Sequence, residues 1–226
     1  MCGRARLATD YIELKIQLSL EDFGLAPNLR PSWNIAPTQD MLVALRDPER
    51  GARIAKLMHW GLIPSWSKDA KMKYATFNAK AETVATSASF RAAWKAGRRC
   101  LIVTDGFYEW RKSDKQPFTI ARQDGKLTVM AGLWETWLSP ANEVINSCTI
   151  LTTEPNELVA ALHNRMPVIL GAADWPVWLG ETPANDDAVR ALLRPCPAGD
   201  LTLWEVDKRV GNVRNNDASL IARSAG

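Results

Sequence analysis

A cysteine directly follows the initiator methionine, in Met1-Cys2-Gly3. A residue as small as Cys at position 2 allows Met1 to be removed, and this removal exposes an α-amine and a thiol on adjacent carbons. Their reference pKa values are about 8.0 and about 8.5, so some of the amine is neutral at pH 7. A neutral amine forms a Schiff base with an aldehyde, and the thiol can then close on the imine carbon. The product is a durable thiazolidine, although position 2 alone favours a cysteine without a role.

Two further side chains are candidates for proton transfer. Glu109 lies between aromatic residues in a strand whose pattern is at least half buried, and burial raises the pKa of a carboxyl group. The alternative is an outward-facing residue in contact with Lys or Arg. His163 follows a short predicted helix whose C-terminus favours the imidazolium form, in a polar loop with Arg165. A lone histidine is more often structural, so both assignments stay open on these segments alone.

Basic residues are concentrated between Ser65 and Cys100. Eight Lys and Arg occur there with two acidic residues, although the net charge of the whole chain is only +3. The same segment contains Trp66, which a preceding proline holds in a loop, and Asn78-Ala79-Lys80. Basic charge interleaved with aromatic residues is typical of a nucleic-acid surface. A solvated charged face and an ordinary turn asparagine explain the same residues, so this signal does not decide alone.

The rest of the composition limits the class of protein. The 226 residues suffice for a substantial core and include ten tryptophans, whose default place is in that core. The four cysteines form no Cys-x-x-Cys pair and the chain has two histidines, so the sequence predicts no metal site and no cofactor. It shows no leader and no apolar run long enough to span a bilayer, which predicts a cytoplasmic protein without a membrane partner.

Short strands dominate the predicted elements that must position these residues. Strands are predicted at Met41–Leu45, Arg53–Trp60, Cys100–Thr104, Phe107–Arg111, Pro117–Arg122, Leu127–Trp137, Ile145–Thr152, Met166–Leu170 and Leu201–Val206. Helices are predicted at Asp10–Phe23, Ser87–Lys95, Pro155–Leu162, Ala172–Leu179 and Ala184–Leu193. Pro27–Pro37 is predicted as a loop and Asp124-Gly125 as a hairpin turn.

These elements predict an α+β fold. Strands with short connections, and helices at intervals, indicate a mostly antiparallel, barrel-like β core flanked by helices. No Pro-, Gly- or Ser-rich linker divides the chain and no repeat is visible, so residues 1–226 are predicted to form a single domain.

Eight motifs occur in the order that is found in one family. They are Met1–Arg4, Trp33–Pro37, Trp60–Pro64, Asn78–Thr83, Asp105–Trp110, Lys115–Phe118, His163–Pro167 and Val210–Val213. On these motifs the chain resembles the SOS-response-associated peptidase (SRAP) family, the abasic-site processing proteins, over nearly its whole length. The resemblance implies a single α+β domain around a barrel of strands, with a positively charged channel for single-stranded DNA.

The resemblance also implies a role for each reactive candidate. Cys2, once Met1 is removed, would form a thiazolidine with the ring-opened aldehyde of an abasic site. Asn78 would hold the Cys2 backbone and its adduct, and Glu109 would act as acid and base in ring opening and imine chemistry. His163 would stabilise the opened sugar and take part in proton transfer. The peptidase label refers to autocatalytic removal of Met1 with the assistance of Glu109, and the same chemistry allows AP lyase activity.

The residues that the resemblance places at the DNA are Arg4, Asn34, Pro37, Trp66, Lys80 and Arg165. The three basic side chains would contact phosphates flanking the lesion, and Trp66 would stack on a neighbouring base. Asn34 and Pro37 would border the channel. Two departures predict weaker DNA contacts: the position of Lys80 is more often Arg in relatives, and Ser67 stands where some relatives carry a second aromatic residue.

The implied partner is single-stranded DNA that contains abasic sites, with the replication machinery as a further partner. The protein is expected to be a monomer, associated with the nucleoid in a bacterium. Two alternatives stay open. One is an N-terminal-nucleophile amidohydrolase, a class that also begins Met-Cys-Gly but whose substrate-pocket motifs are not visible here. The other is a non-covalent single-strand binder in which Cys2 is incidental.

Overall fold

Strands form most of the regular structure in the computed structural model, which describes residues 2–21 and 28–224. The strands are β1 Ala5–Leu7, β2 Ser32–Ile35, β3 Asp40–Arg46, β4 Arg53–Trp60, β5 Asn78–Lys80, β6 Arg99–Thr104, β7 Gly106–Trp110, β8 Pro117–Arg122, β9 Thr128–Leu138, β10 Val144–Thr153, β11 Met166–Pro167 and β12 Leu201–Glu205. The α-helices are α1 Tyr11–Leu18, α2 Arg91–Lys95, α3 Glu157–Ala160, α4 Trp175–Leu179 and α5 Asp186–Ala191. Short 3₁₀ helices lie at Ala172–Asp174, Ala198–Asp200, Lys208–Gly211 and Ala218–Ile221.

Five strands close into a barrel. β3 pairs with β4 and β6, β6 pairs with β9, β9 pairs with β10, and β10 returns to β4 to complete the ring. Only the pairing of β10 with β4 is parallel within this ring. Beyond the ring, the C-terminal half of β10 also pairs with β5, in parallel, and with β11. The predicted α+β fold with a mostly antiparallel, barrel-like core is confirmed.

Close packing inside the barrel explains why residue 132 is a glycine. A Cβ at Gly132 of β9 would lie 2.8 Å from the side chain of Ile102 and 2.9 Å from the Sγ atom of Cys100, both on the adjacent strand β6. Without a side chain at this position, those two apolar groups fill the interior. The packing of cores at this density leaves no room for even one extra methyl group.

The second sheet has the order β12-β8-β7-β1-β2. Only Asp105 separates β6 from β7, so the chain leaves the barrel and enters the second sheet at this residue. The Asp105 carboxylate accepts hydrogen bonds from the backbone N–H groups of Ala8 and Thr9, at 2.6 and 3.2 Å. These bonds fix the end of β1 at the start of β7. Because β1 and β7 are antiparallel, the residues before β1 run alongside the remainder of β7.

One predicted hairpin is wrong. Gly125 has a φ of +72°, as a tight turn requires, but the strands on either side of it do not pair with each other. β8 pairs with β7 and β12 in the second sheet, whereas β9 pairs with β6 and β10 in the barrel. The Asp124-Gly125 turn therefore connects the two sheets.

Three other predictions are wrong in part. The segment predicted as a loop contains strand β2, and the part of it before residue 28 lies outside the described residues. The helix predicted from Asp10 begins directly after that residue, which caps it, but ends at Leu18, because Ser19 adopts a left-handed conformation with φ of +53°. The predicted helix end at Phe23 lies outside the described residues. The predicted strand Met166–Leu170 is regular only at Met166–Pro167.

Within the described part of the chain, no helix is both long enough and apolar enough to cross a membrane.

Candidate functional site around Cys2

Cys2 lies just before β1 and is fully buried, with 0 % of its surface exposed. It belongs to the main apolar core, and its Sγ atom lies 3.9 Å from the carbonyl oxygen of Arg4. Burial raises the pKa of the Cys2 thiol, and the negative charge of Glu109 raises it further. The thiol is therefore held in its protonated form at neutral pH.

Asn78 fixes the backbone of Cys2. Its side-chain amide donates a hydrogen bond to the Cys2 carbonyl oxygen at 2.7 Å. Asn78 begins β5, where it lies opposite Ile150 of β10. Because β5 belongs to the barrel sheet and Cys2 precedes a strand of the second sheet, this hydrogen bond ties the two sheets together at Cys2.

Side chains alternate between the two faces of β7, and Glu109 lies on the face that packs against the main core. Side chains two residues apart lie on the same face of a strand, so Glu109 shares a face with Phe107, which belongs to the main core. Tyr108 lies on the other face, in a small second core under the C-terminal segment. Glu109 is only 3 % exposed, and burial raises its pKa. The interpretation of Glu109 as an outward-facing strand residue is therefore wrong.

His163 is neutral in this setting. The backbone N–H of Arg165 donates to His163 Nδ1 at 3.0 Å, so the proton of the neutral ring lies on Nε2. Burial lowers the pKa of His163, and the positive charges of Lys112 and Arg165 act in the same direction. The expectation that a helix end favours the imidazolium form is wrong, because α3 is a single turn and burial outweighs its effect.

Arg4 and Asn34 form a network under the C-terminal segment. Asn34 is 1 % exposed, and its side-chain nitrogen lies 2.8–3.1 Å from three backbone carbonyl oxygens within residues 210–215. Its Oδ1 atom accepts from Arg4 at 3.3 Å, and Arg4 also donates to the carbonyl of Gly211. The amide of Asn34 thus anchors this segment, while its predicted contact with DNA stays a prediction.

We expect Asn34→Ala to lower the free energy of unfolding by about 1–3 kcal/mol, because it leaves buried carbonyl groups without their donor. Urea denaturation measures this change. Asn28→Ala is the control, since Asn28 is exposed and its loss should cost less than about 0.5 kcal/mol. If Asn34→Ala keeps its stability and loses DNA affinity instead, Asn34 is a DNA contact and not an anchor.

Arg165 and Lys80, the two predicted phosphate contacts near β5, differ in whether another side chain already pairs with their charge. The guanidinium of Arg165 pairs with the Glu82 carboxylate at 2.5 and 2.8 Å, and it also donates to the carbonyl of Thr152. The hydrogen bond from Arg165 holds the pKa of Glu82 below its usual range. Lys80 is exposed, and its side chain makes no hydrogen bond or ion pair with another described residue. Lys80 is free to meet a phosphate, whereas Arg165 must share its charge with Glu82.

Exposed aromatic side chains lie on the segment between β4 and β5. Trp66 is 60 % exposed, and its loop is held from behind by Trp137, whose indole N–H donates to the carbonyl of Ser67 at 2.8 Å. Tyr74, on the same segment, is 72 % exposed, and the Lys73 ammonium lies 5.6 Å from the centre of its ring. The rings of Trp66 and Tyr74 are therefore both accessible to a stacking partner.

Pro37 lines a cavity of about 340 Å³ next to this segment. Lys71, Lys73 and Tyr74 line the same cavity, together with His59 of β4. The structure thus brings Pro37 and these basic and aromatic residues to one opening, while the predicted DNA channel stays a prediction.

Sequence reasoning missed two residues at the site. The positive charge of Lys112 opposes the effect of burial on the pKa of Glu109 and adds to it for His163, which places this lysine near both groups. A lysine three residues after a buried glutamate was the available signal. Tyr74 could have been noticed as an aromatic residue directly after Lys71-Met72-Lys73. Among the residues that the structure describes, no group of three or more His, Cys, Asp and Glu side chains is placed to hold a metal ion.

The site and the fold together define a class of protein: an α+β barrel with a buried cysteine next to the N-terminus, whose backbone an amide holds and whose thiol feels the charge of a buried carboxyl group. The SOS response associated peptidase (SRAP) family model matches residues 1–213. The abasic site processing protein YoqW of Bacillus subtilis (strain 168) is 38 % identical over 98 % of this chain and 99 % of its own length. The abasic site processing protein HMCES of Xenopus tropicalis is 33 % identical over 88 % of this chain and 68 % of its own length.

A crystal structure of a protein from Bacteroides thetaiotaomicron has the same fold. Its TM-score is 0.86 at 21 % identity, with 99 % of this chain and 100 % of that chain covered. This chain belongs to the SRAP family of abasic-site processing proteins.

Proposed function

We propose that the protein cross-links covalently to abasic sites in single-stranded DNA through Cys2 and so shields the lesion. The observation that carries the proposal is the hydrogen bond from Asn78 to the Cys2 carbonyl oxygen, beside Glu109 in a buried site. This hydrogen bond fixes the backbone of Cys2, the residue whose amine and thiol would both react. The abasic-site names of the relatives support the same substrate.

The reaction requires that Met1 be removed first. The free amine of Cys2 then condenses with the aldehyde carbon of the ring-opened abasic sugar, which forms a C=N bond and releases one water. The thiol adds to the same carbon, so that a C–S bond forms and the imine π electrons move to nitrogen, which takes the thiol proton. The product is a thiazolidine, and no oxidant or reductant is consumed.

The electrostatics of the site suit these steps. A thiol with a raised pKa keeps the proton that ring closure delivers to nitrogen. Glu109, also with a raised pKa, can donate a proton to the sugar oxygen during ring opening and to the hydroxyl that leaves as water. Neutral His163 carries an Nε2–H that can donate a hydrogen bond to the opened sugar.

Strand binding is assigned to the surface around β5 and the segment before it. Lys80 would contact a phosphate that flanks the lesion, and Trp66 would stack on a neighbouring base. Pro37 would border the path of the strand. Arg4 lies 5.9 Å from the ring centre of Trp110 and bonds to the C-terminal segment, so part of its contribution would be to order that segment.

We extend the proposal to autocatalytic removal of Met1. The Cys2 thiol would attack the Met1 carbonyl carbon while Glu109 accepts its proton, and the C–N bond would break as the amine takes up that proton. Water would then hydrolyse the thioester and release methionine. The intact mass of protein made without an aminopeptidase tests this step: Glu109→Gln and Cys2→Ala should retain Met1, and its loss from both would contradict the role of the site.

A denaturing gel tests the cross-link. Purified protein is mixed with single-stranded DNA that carries one abasic site, and the products are heated in detergent. A heat-stable shifted band that depends on Cys2 supports the proposal, and its absence from protein shown to lack Met1 contradicts it. Hydrolysis of glutamine instead would favour an amidohydrolase, and a shift only in native gels would favour a non-covalent binder.

We expect Trp66→Ala to weaken binding of single-stranded DNA by a factor of about 5–150, because stacking of one base contributes about 1–3 kcal/mol. Fluorescence anisotropy with an undamaged oligonucleotide measures this without cross-linking. Ile16→Ala is the control, since Ile16 is comparably exposed but lies on α1. Equal affinities for the two variants would remove Trp66 from the DNA surface.

A further inference from the structure

A second basic feature lies outside the Cys2 site. A cleft of about 720 Å³ is formed by α2, α5 and the first residue of β6, and none of its lining residues belongs to the Cys2 site. Four cationic side chains line it, Arg91, Lys95, Arg99 and Arg190. Asp186 is the one acidic residue in its lining, and it accepts a hydrogen bond from Arg190 at 2.6 Å. The cleft therefore has an excess of positive charge.

Arg99 is short of an acceptor. Its guanidinium lies partly buried over the ring of Trp178, with 5.7 Å between the two centres, and burial lowers its pKa. The Nε atom is buried and has no hydrogen-bond partner among the described residues. Partial burial of a charged group is unfavourable, and an anion in the cleft that Arg99 lines would offset this cost by its opposite charge.

The other side chains extend the same site. Arg91 and Lys95 are four residues apart and so lie on one face of α2, and neither makes an ion pair with a described residue. Arg190 stacks on Trp94, with its guanidinium carbon 5.1 Å from the ring centre. The Nε–H of Arg190 is used by Asp186, and its two terminal nitrogens make no hydrogen bond with a described residue. Such a fork matches the oxygen atoms of a phosphate.

We propose that this cleft binds a phosphate group, as a second anion site separate from Cys2. The phosphate belongs either to the backbone of a DNA strand that the protein holds or to a free nucleotide. The proposal does not rest on the cross-linking reaction, because no residue of the cleft takes part in it.

The test compares the full-length protein with Arg91→Gln/Lys95→Gln, whose side chains are exposed and whose replacement should leave the melting temperature unchanged. Lys56→Gln/Lys208→Gln removes two exposed charges elsewhere and is the matched control. Calorimetric titration with inorganic phosphate and with dAMP probes the free ligands. Anisotropy with an oligonucleotide that lacks abasic sites, at several salt concentrations, probes the strand.

If the phosphate comes from DNA, the cleft variant loses oligonucleotide affinity about tenfold, and its salt slope falls by about 2 relative to the control. If it comes from a nucleotide, phosphate and dAMP bind the wild type and not the cleft variant, at unchanged oligonucleotide affinity. Arg99→Lys keeps the charge but removes the fork, and either binding mode should weaken in it as well. Absence of free-ligand binding together with an unchanged salt slope overturns the proposal.

Discussion

Cys2→Ser protein should form no heat-stable adduct with abasic single-stranded DNA, because a hydroxyl group cannot supply the sulfur of a thiazolidine. Cys2→Ala should behave in the same way. Removal of a nucleophile lowers reaction rates by a factor of about 10³ or more, so the band should vanish from a denaturing gel. Any Schiff base that the remaining amine forms would survive heating only after reduction with borohydride. Affinity for the strand should change less than about twofold, because the phosphate contacts lie elsewhere.

Cys196→Ser provides the control for a lost thiol. Cys196 is almost as buried, but it lies beside Asn156, whose amide donates to its carbonyl at 3.0 Å, and the site does not include it. Its variant should cross-link at the wild-type rate. A normal adduct yield from Cys2→Ala, without a reductant, would refute the assignment of the nucleophile.

In protein from which an aminopeptidase has removed Met1, Glu109→Gln should slow cross-linking by a factor of about 10²–10⁴, the usual contribution of a positioned acid or base. The amide has nearly the shape of the carboxyl group but does not transfer a proton. The maximal rate at saturating DNA should therefore fall while the affinity for DNA stays within about twofold of the wild type. A large loss of affinity with an unchanged maximal rate would show that Glu109 binds the strand instead.

The pH dependence separates proton transfer from a structural effect. Burial raises the pKa of Glu109, so its acid form persists above the range of an ordinary carboxyl group, and the rate should fall as pH rises through that raised pKa. The neutral fraction of the Cys2 amine rises over the neutral range and acts in the opposite direction. The cross-linking rate of the wild type should thus be bell-shaped as a function of pH. The rate of Glu109→Gln should only rise with pH, as the neutral fraction of the Cys2 amine rises.

Glu181→Gln is the control for a lost carboxylate. Glu181 pairs with Arg53 of β4 at 2.6 Å and follows α4, and none of the site residues contacts it through a hydrogen bond that the structure describes. Its variant should keep the bell-shaped profile. If the Glu109→Gln profile is also bell-shaped, the acid limb belongs to another group.

The sequence predicted the barrel because local patterns determine its long strands. β3, β4, β6, β9 and β10 all lie where alternation and turn residues place them, as does β8 of the second sheet. It did not predict β1, β2 or β5, which are three or four residues long and depend on partners far away in the chain. The misplaced hairpin at Asp124-Gly125 has the same cause, since turn chemistry fixes the turn but not which strands pair.

The site was predictable where the chemistry of a residue is local. Aromatic neighbours made a buried Glu109 one of two open interpretations, and position 2 made Cys2 a candidate aminothiol. The partners of Asn34 and Arg165 were not predictable, because residues 210–215 and Glu82 come into contact with them only through the tertiary fold. The neutral state of His163 likewise depends on burial, which outweighs the helix end that the sequence shows.

The chemical identity of the adduct tests the central claim most directly. Protein and abasic single-stranded DNA are incubated without a reductant, the DNA is digested, and the N-terminal peptide is sequenced by mass spectrometry. We predict a peptide that begins at Cys2, lacks Met1, and carries the abasic sugar with the loss of one water, bound through both nitrogen and sulfur. An adduct on a lysine such as Lys80, or on a peptide that retains Met1, would contradict the account.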